Sequence, residues 1–278
     1  MSNTVSDIEK FAKEIRLEIM KQIAEVGFGH VGGSLSISDL LAVLYGSEMK
    51  IDPTNPKWEG RDRLVCSKGH AGPAVYSALA LKGFFPMDWL MTLNKGGTKL
   101  PSHCDGNKTP GIDLSTGSLG QGLSPSVGMA YSFKLDGKAN KVYTILGDGE
   151  LQEGQIWEAA MSAAKFKLNN LRAFVDLNKY QVDDSIENVM PTGDVAAAFA
   201  NFGWNAQVIN GHDVEAILGA LAKADEETEK PCVIILDTIK GYGYADFEKM
   251  GNGCHHMNVP KDIADASIGH FEAQVSAS

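Results

Sequence analysis

An acidic turn between an apolar run and a helix is the first feature of this sequence that could do chemistry. Residues 144–160 read TILGDGELQEGQIWEAA, so a β-branched run stops at a Gly-Asp-Gly turn centred on Asp148. The next apolar run, residues 171–178, ends on Asn178. Ligands bind beyond the carboxyl ends of parallel strands, so we expect Asp148 and Asn178 to reach one ion. Gly-Asp-Gly alone more often marks an ordinary turn, and its pairing with Asn178 favours a site.

The oxygen atoms of this pair indicate which ion it would hold. A carboxylate and an amide oxygen are hard ligands that suit Mg²⁺ or Ca²⁺ and bind zinc poorly. Mg²⁺ usually shares its coordination shell with phosphate oxygens. The glycines on either side of Asp148 let the backbone approach those oxygens closely. The spacing therefore predicts a site for a metal ion and a diphosphate.

Strands and helices that would position this pair alternate along the chain. The apolar runs of strand length are 63–67, 141–147, 171–178, 204–210 and 231–239, and the helical stretches are 6–26, 36–46, 152–167, 194–201, 212–228 and one that begins just after His70. This alternation predicts an α/β fold, a mostly parallel central sheet with helices on both faces. The glycine-rich segments 93–125 and 240–260 are long for loops, and such loops are usually functional or disordered.

Composition excludes several classes of function. The chain has 278 residues, 44% of them hydrophobic, so it can bury a sizeable core. The formal net charge is −10 and no basic run reaches five residues, which argues against sequence-independent nucleic-acid binding. The apolar stretches are too short for a membrane span, and the N-terminal segment is an amphipathic, charged helix instead of a signal peptide. Four scattered cysteines without a CxxC pair argue against a disulfide framework or zinc site, and we expect a soluble, cytoplasmic protein.

Several motifs resemble one enzyme family. Gly-Asp-Gly followed by 28 residues and then Asn178 is similar to the motif of thiamine-diphosphate enzymes, which usually ends in Asn-Asn where this chain has Leu177-Asn178. Four further segments resemble transketolases, in family order: GFGHVGGSLS (27–36), CSKGHAGPAVYSAL (66–79), LSTGSLGQGLSPSVGMA (114–130) and NGHD (210–213). The resemblance implies the thiamine-diphosphate-binding fold, with 1–278 as a single diphosphate-binding (PP-type) domain.

The same resemblance assigns the cofactor site. It implies that Asp148, Asn178 and the backbone carbonyl of Tyr180 bind Mg²⁺ or Ca²⁺. It also implies that thiamine diphosphate is the cofactor and that its contacts are His70, Gly117, Leu119, Gly149 and Asn178. Glu153 resembles a family glutamate that helps connect the two active sites of a dimer, although an ordinary acid in the first turn of a helix is nearly as good an explanation.

The catalytic residues that the resemblance implies are histidines. Transfer of a two-carbon ketol unit moves protons on hydroxyl and carbonyl oxygens, which imidazole can do near neutral pH. His30 and His103 would face the sugar hydroxyls, and either His255 or His256 would join them, with His255 slightly favoured. A metal site at Cys254-His255-His256 lacks further ligands of the right type. The two remaining histidines, His212 and His270, are interpreted as packed or solvated.

Three departures from the family pattern surround these residues. Ser118 stands where the family usually has proline, and Val31 replaces the proline after His30. The segment around His103 reads SHCDG where the family usually has Gly-His-Pro. The imidazoles themselves are kept, so the departures point to a difference in donor selectivity.

The resemblance covers only the first domain of a transketolase. The pyrimidine-binding domain, with the glutamate that activates the cofactor, and the C-terminal domain have no counterpart in 1–278. The resemblance therefore implies the N-terminal subunit of a split transketolase, inactive alone, with a C-terminal partner subunit in an α2β2 heterotetramer. Its substrates would be ketoses and aldoses or their phosphates, with sulfonated or branched sugars open. Alternatives are the α subunit of a 2-oxo acid dehydrogenase E1, a deoxyxylulose-phosphate-synthase-like chain, or a non-catalytic cofactor-binding module.

Overall fold

Parallel strands form the centre of the computed structural model, which describes residues 3–278. The strands are β1 (Phe28–Gly29), β2 (Arg63–Cys66), β3 (Val142–Gly147), β4 (Leu171–Leu177), β5 (Asn205–Asn210), β6 (Cys232–Asp237) and β7 (Met257–Asn258). The central sheet has the order β2-β3-β4-β6-β5, and all of its neighbouring strands pair in parallel. The predicted parallel α/β sheet is confirmed, and β3 lies beside β4 as the predicted site requires.

Helices cover both faces of this sheet. They are α1 (Val5–Val26), α2 (Gly32–Leu35), α3 (Ser38–Val43), α4 (Gly72–Leu81), α5 (Leu123–Leu135), α6 (Gly154–Lys165), α7 (Ile186–Val189), α8 (Val195–Asn201), α9 (Val214–Glu226), α10 (Ala245–Met250) and α11 (Lys261–Ser276). Helices α5, α6 and α8 share one hydrophobic core, and α1, α3, α4, α9 and α11 share the other. Across residues 3–278, none of the helices is long and apolar enough to cross a membrane.

Successive side chains of the buried strands pack alternately into the two hydrophobic cores. Tyr143 and Ile145 of β3 enter the core on the α1 side, whereas Val142 and Leu146 enter the core on the α6 side. This period of two is the geometry of a strand covered on both faces. The edge strand β5 differs from the predicted continuous burial, because one of its faces is open and Val208 is 60% exposed.

The first helix, α1, leads through β1 to His30. A capping box between Thr4 and Asp7 begins α1, and isoleucines at helical spacing bury its inner face. Gly27 ends the helix in the left-handed conformation, with φ of 88°, which glycine adopts without steric cost. The chain then enters β1, which pairs antiparallel with β7 and leads directly to His30.

A buried acid connects α3 to the loop after β6. The Asp39 carboxylate contacts the Arg16 guanidinium and accepts a hydrogen bond of 2.9 Å from His212 Nδ1. The other ring nitrogen of His212 accepts from the backbone N–H of Ile239 at 2.9 Å, and the ring stacks on Tyr242. The structure therefore shows His212 packed away from the candidate site, and this contact holds the loop that carries Lys240.

Asp39→Asn is expected to lower the free energy of unfolding by about 2 kcal/mol at pH 7, because it weakens hydrogen bonds to a buried charge. Burial raises the pKa of Asp39, but Arg16 and His212 outweigh it and hold that pKa below its ordinary value. A lowered pKa in the folded state stabilises the protein above about pH 4, and this contribution is lost as the pH falls through the folded-state pKa. Urea unfolding of both proteins between pH 7 and pH 3 measures the difference. If the difference in free energy of unfolding between the two proteins stays constant from pH 7 to pH 3, the lowered pKa of Asp39 is contradicted.

Candidate active site

Asp148 and Asn178 lie together at the carboxyl end of the sheet. Gly147 of β3 is in register with Asp176 of β4, so the residues that follow the two strands are neighbours. The Asp148 carboxylate accepts hydrogen bonds from the backbone N–H of Gly149 at 2.8 Å and of Lys179 at 2.5 Å. The second bond crosses from the end of β4 to the end of β3. The predicted pair is thus brought together and buried.

The third expected metal ligand, the Tyr180 carbonyl, faces a buried cation. Lys240 Nζ donates a hydrogen bond of 2.8 Å to this oxygen, and it lies 3.0 Å from His255 Nδ1. Burial lowers the pKa of Lys240 to about 8. Sequence reasoning missed Lys240, although a lysine directly after the last buried strand was the available signal. The contact shows that the Tyr180 oxygen is directed at positive charge.

A cavity of about 250 Å³ joins these groups and has the chemistry that a metal diphosphate needs. Its lining includes Asp148, Asn178, Tyr180, Lys68 and Lys240, which offer hard oxygen ligands to a cation and ammonium groups to an anion. Burial, and then the nearby Asp176 carboxylate, raise the pKa of Asp148 to about 6. A carboxylate so removed from water is stabilised by a nearby cation. The residues therefore fit Mg²⁺ and a diphosphate.

Asp176 is a fully buried acid that orients the neighbouring Asn178. It accepts hydrogen bonds from Lys68 Nζ at 2.6 Å, Thr238 Oγ1 at 2.5 Å, Ser36 Oγ at 2.7 Å and Asn178 Nδ2 at 2.8 Å. The amide nitrogen of Asn178 donates to Asp176, and its Oδ1 accepts a hydrogen bond of 3.2 Å from the backbone N–H of Tyr180, so a second lone pair of Oδ1 stays available for a ligand. The sequence analysis missed both Lys68, which lines the cavity, and Asp176, which contacts Lys68 and Asn178.

Glu150 is a second buried acid that was missed. Its carboxylate accepts from the backbone N–H of Gly120 at 2.8 Å and of Gly147 at 3.0 Å, and it contacts the Ser67 hydroxyl. Burial is the main cause that raises its pKa. The carboxylate joins the end of β2, the end of β3 and the loop that carries Leu119. Its place directly after Gly-Asp-Gly was the only sequence signal.

Five histidine rings gather beside the cavity. The ring centroid of His30 lies 5.1 Å from that of His70, 5.6 Å from those of His103 and His255, and 4.7 Å from that of His256. His70 and His255 are also 5.1 Å apart. The candidate residues on four separate segments are thus brought together. Both members of the His255-His256 pair belong to the cluster, and of the two it is His255 that lines the cavity.

Burial keeps the inner histidines neutral. Burial is the largest of the effects that lower the pKa of His30 to about 4 and that of His255 to about 3. It also lowers the pKa values of His70 and His103. A neutral imidazole carries one donor and one acceptor nitrogen. The Lys240 ammonium donates to His255 Nδ1, so we assign the ring proton of His255 to Nε2. This N–H can then donate to a ligand oxygen.

Of the other residues that the sequence analysis singled out, three line the cavity, and Gly117 lies beside the His103 ring. Gly117 has φ of 145°, and a Cβ there would lie 3.0 Å from the His103 ring, so a side chain would displace that imidazole. Gly149 and Leu119 line the cavity, and Leu119 is partly exposed. Glu153 also lines the cavity and is the exposed N-cap residue of α6, without a side-chain capping bond.

Comparison with known proteins shows which proteins this chain is similar to. The family model described as "Transketolase, thiamine diphosphate binding domain" matches residues 8–263. The chain is 48% identical over 274 residues to the 6-deoxy-6-sulfo-D-fructose transketolase subunit SqwG of Clostridium sp. (strain MSTE9), covering 99% of each chain. It is 36% identical to the apulose-4-phosphate transketolase subunit of Phocaeicola vulgatus, covering 94% of this chain and 93% of that one.

Solved structures give the same result for the fold. A Pichia stipitis transketolase in complex with sedoheptulose 7-phosphate has a TM-score of 0.86 and 29% identity, covering 97% of this chain and 44% of that one. The Campylobacter jejuni transketolase has a TM-score of 0.85 and 30% identity, covering 99% of this chain and 47% of that one. The chain therefore spans less than half the length of these solved proteins.

Proposed function

Because the chain belongs to the transketolase family, we propose that it is the diphosphate-binding subunit of a two-chain transketolase that transfers a two-carbon ketol unit from a ketose to an aldose. The observation that carries the proposal is the oxygen set of buried Asp148, buried Asn178 and half-buried Tyr180 beside a cluster of histidines. The first set suits a metal diphosphate, and the second suits a polyhydroxylated substrate. Residues 1–278 would form one such domain.

In this proposal the carboxylate of Asp148, Oδ1 of Asn178 and the carbonyl of Tyr180 hold Mg²⁺, with Ca²⁺ as a substitute. Thiamine diphosphate, when bound, supplies the carbon nucleophile that the reaction needs. Gly149 lets the backbone approach the diphosphate, and the ammonium group of Lys68 adds positive charge in the same cavity. His70, Gly117 and Leu119 would make the other contacts with the cofactor.

The histidines would manage protons on the sugar. His30, His103 and His255 are uncharged near neutral pH because burial lowers their pKa values. Each ring can therefore donate one hydrogen bond to a hydroxyl or carbonyl oxygen of the substrate. His30 and His103 can also accept one from a substrate hydroxyl, whereas Nδ1 of His255 already accepts from Lys240. The His255 Nε2–H would stabilise negative charge that develops on such an oxygen. His30, at the centre of the cluster, would position the substrate against the other rings.

A second polypeptide would complete the site. Two relatives that this chain covers almost entirely are named as subunits, which supports a partner that carries the pyrimidine-binding domain. An α2β2 heterotetramer is the assembly that we propose. The names of these relatives contain a sulfonated and a phosphorylated sugar, so we extend the proposal to an anionic ketose donor. The free, buried cysteines fit a reducing, cytoplasmic compartment.

The test is reconstitution. The chain alone, with thiamine diphosphate and Mg²⁺, is expected to show no ketol transfer above background, whereas the chain purified with its partner transfers the unit from an anionic ketose to an aldose. The matched control is the same complex with Asp148→Asn, which should be inactive. Full activity from the chain alone would contradict the two-chain proposal. A wild-type complex that binds the cofactor and transfers nothing from any ketose would contradict the reaction.

A further inference from the structure

A short antiparallel ribbon pairs two histidines of the cluster. Gly29 of β1 is in register with Met257 of β7. One step further along the same register, His30 lies opposite His256, and their ring centroids are 4.7 Å apart. Cross-strand neighbours of this kind interact directly. The ribbon therefore fixes the position of His256 relative to His30.

The rings follow an order from the cavity outward. His255 lines the cavity and contacts Lys240. The centroid of His30 lies 5.6 Å from that of His255 and 4.7 Å from that of His256. The His256 ring then meets Phe28, with centroids 5.7 Å apart. Both His256 and Phe28 are exposed, and Phe28 is 38% exposed, so this end of the row faces solvent.

A ketose that reacts inside this site must extend along the row. The carbons that are transferred lie on the cofactor side, near His255 and His30, if the proposed function holds. The rest of a five- or six-carbon donor then points outward, where His256 offers hydrogen-bonding nitrogens and Phe28 offers an apolar face. A few convergent polar groups beside an aromatic surface are typical of small-molecule sites.

We propose that His256 is a specificity-determining residue that contacts the part of the donor ketose beyond the two transferred carbons. The inference rests on the proposed function and deepens it. It gives the two adjacent histidines separate tasks. His255 serves the reacting end, and His256 selects donors by their distal end.

The experiment compares His256→Ala with wild type, each in complex with the partner chain. The donors are 6-deoxy-6-sulfo-D-fructose, D-fructose 6-phosphate, D-xylulose 5-phosphate and the short ketose erythrulose, which lacks most of the distal part. For the best long donor, KM is expected to rise on the order of tenfold while kcat changes by less than about twofold. For erythrulose both constants should stay at the wild-type values. His256→Gln keeps hydrogen-bonding groups, so its KM for the long donor should lie between those of wild type and His256→Ala.

Two controls separate the possible results. His270→Ala removes an exposed histidine outside the cluster and should leave all constants unchanged. Sedimentation of each complex measures how tightly the two chains bind each other. If the wild-type complex is active, three results for His256→Ala would overturn this inference alone. They are an unchanged KM for every long donor, an equal rise in KM for erythrulose, and a change confined to the binding between the two chains. A wild-type complex without ketol transfer from any donor would overturn the proposed function and this inference together.

Discussion

Asp148→Asn is expected to reduce Mg²⁺-dependent binding of thiamine diphosphate by roughly a hundredfold or more, since even outer-shell partners of a metal cost about 10- to 100-fold when removed. Asp148 is the only charged group among the three proposed metal ligands. Isothermal titration of the purified chain with thiamine diphosphate, with and without Mg²⁺, measures the effect. This readout does not depend on activity or on the partner chain.

The same substitution should leave the metal-free chain folded. Burial raises the pKa of Asp148 to about 6, so its charged form is disfavoured in the folded protein, and a neutral amide removes that cost. Asp237→Asn is the matched control, because Asp237 ends strand β6 of the same sheet, which pairs with β4, but its side chain is 56% exposed outside the cavity. Unchanged cofactor affinity in Asp148→Asn, in the presence of Mg²⁺, would falsify the metal assignment.

Much of this site could be predicted because it depends on regular structure. The apolar runs that predict β3 and β4 are long, and strands buried on both faces have continuous apolar sequences. Since the carboxyl ends of parallel strands meet at one edge, the positions of Asp148 and Asn178 followed directly. The family motifs then indicated the segments of the histidine cluster, which the structure brings together.

The parts that sequence reasoning missed depend on long-range contacts. Nothing in the apolar pattern indicates that β6 lies between β4 and β5. The ribbon of β1 and β7 is only two residues long on each side, too short for a hydrophobic period, so the relation of His255 to His256 stayed open. Lys68 and Asp176 are 108 residues apart, and charged residues are usually exposed, so their burial as a pair was not predicted.

Lys68→Met is expected to lower the free energy of unfolding of the metal-free chain by about 3–5 kcal/mol, the usual cost of removing one partner from a buried ion pair. The Asp176 carboxylate has no exposed surface, so it would lose its nearest positive charge without gaining water. It would keep only the neutral donors Ser36, Thr238 and Asn178. Urea unfolding at pH 7, with the denaturant slope compared between proteins, measures the loss.

Two further variants show whether the pair itself is responsible. Lys95→Met breaks an exposed ion pair with Glu25 and should cost less than about 1 kcal/mol. The double variant Lys68→Met/Asp176→Leu removes both buried charges and should recover much of the stability, because no unpaired charge remains. It should not recover cofactor binding, since the amide of Asn178 loses the acceptor that orients it. If Lys68→Met is as stable as wild type, the buried pair is not what holds the ends of β2 and β4 together beneath the cofactor site.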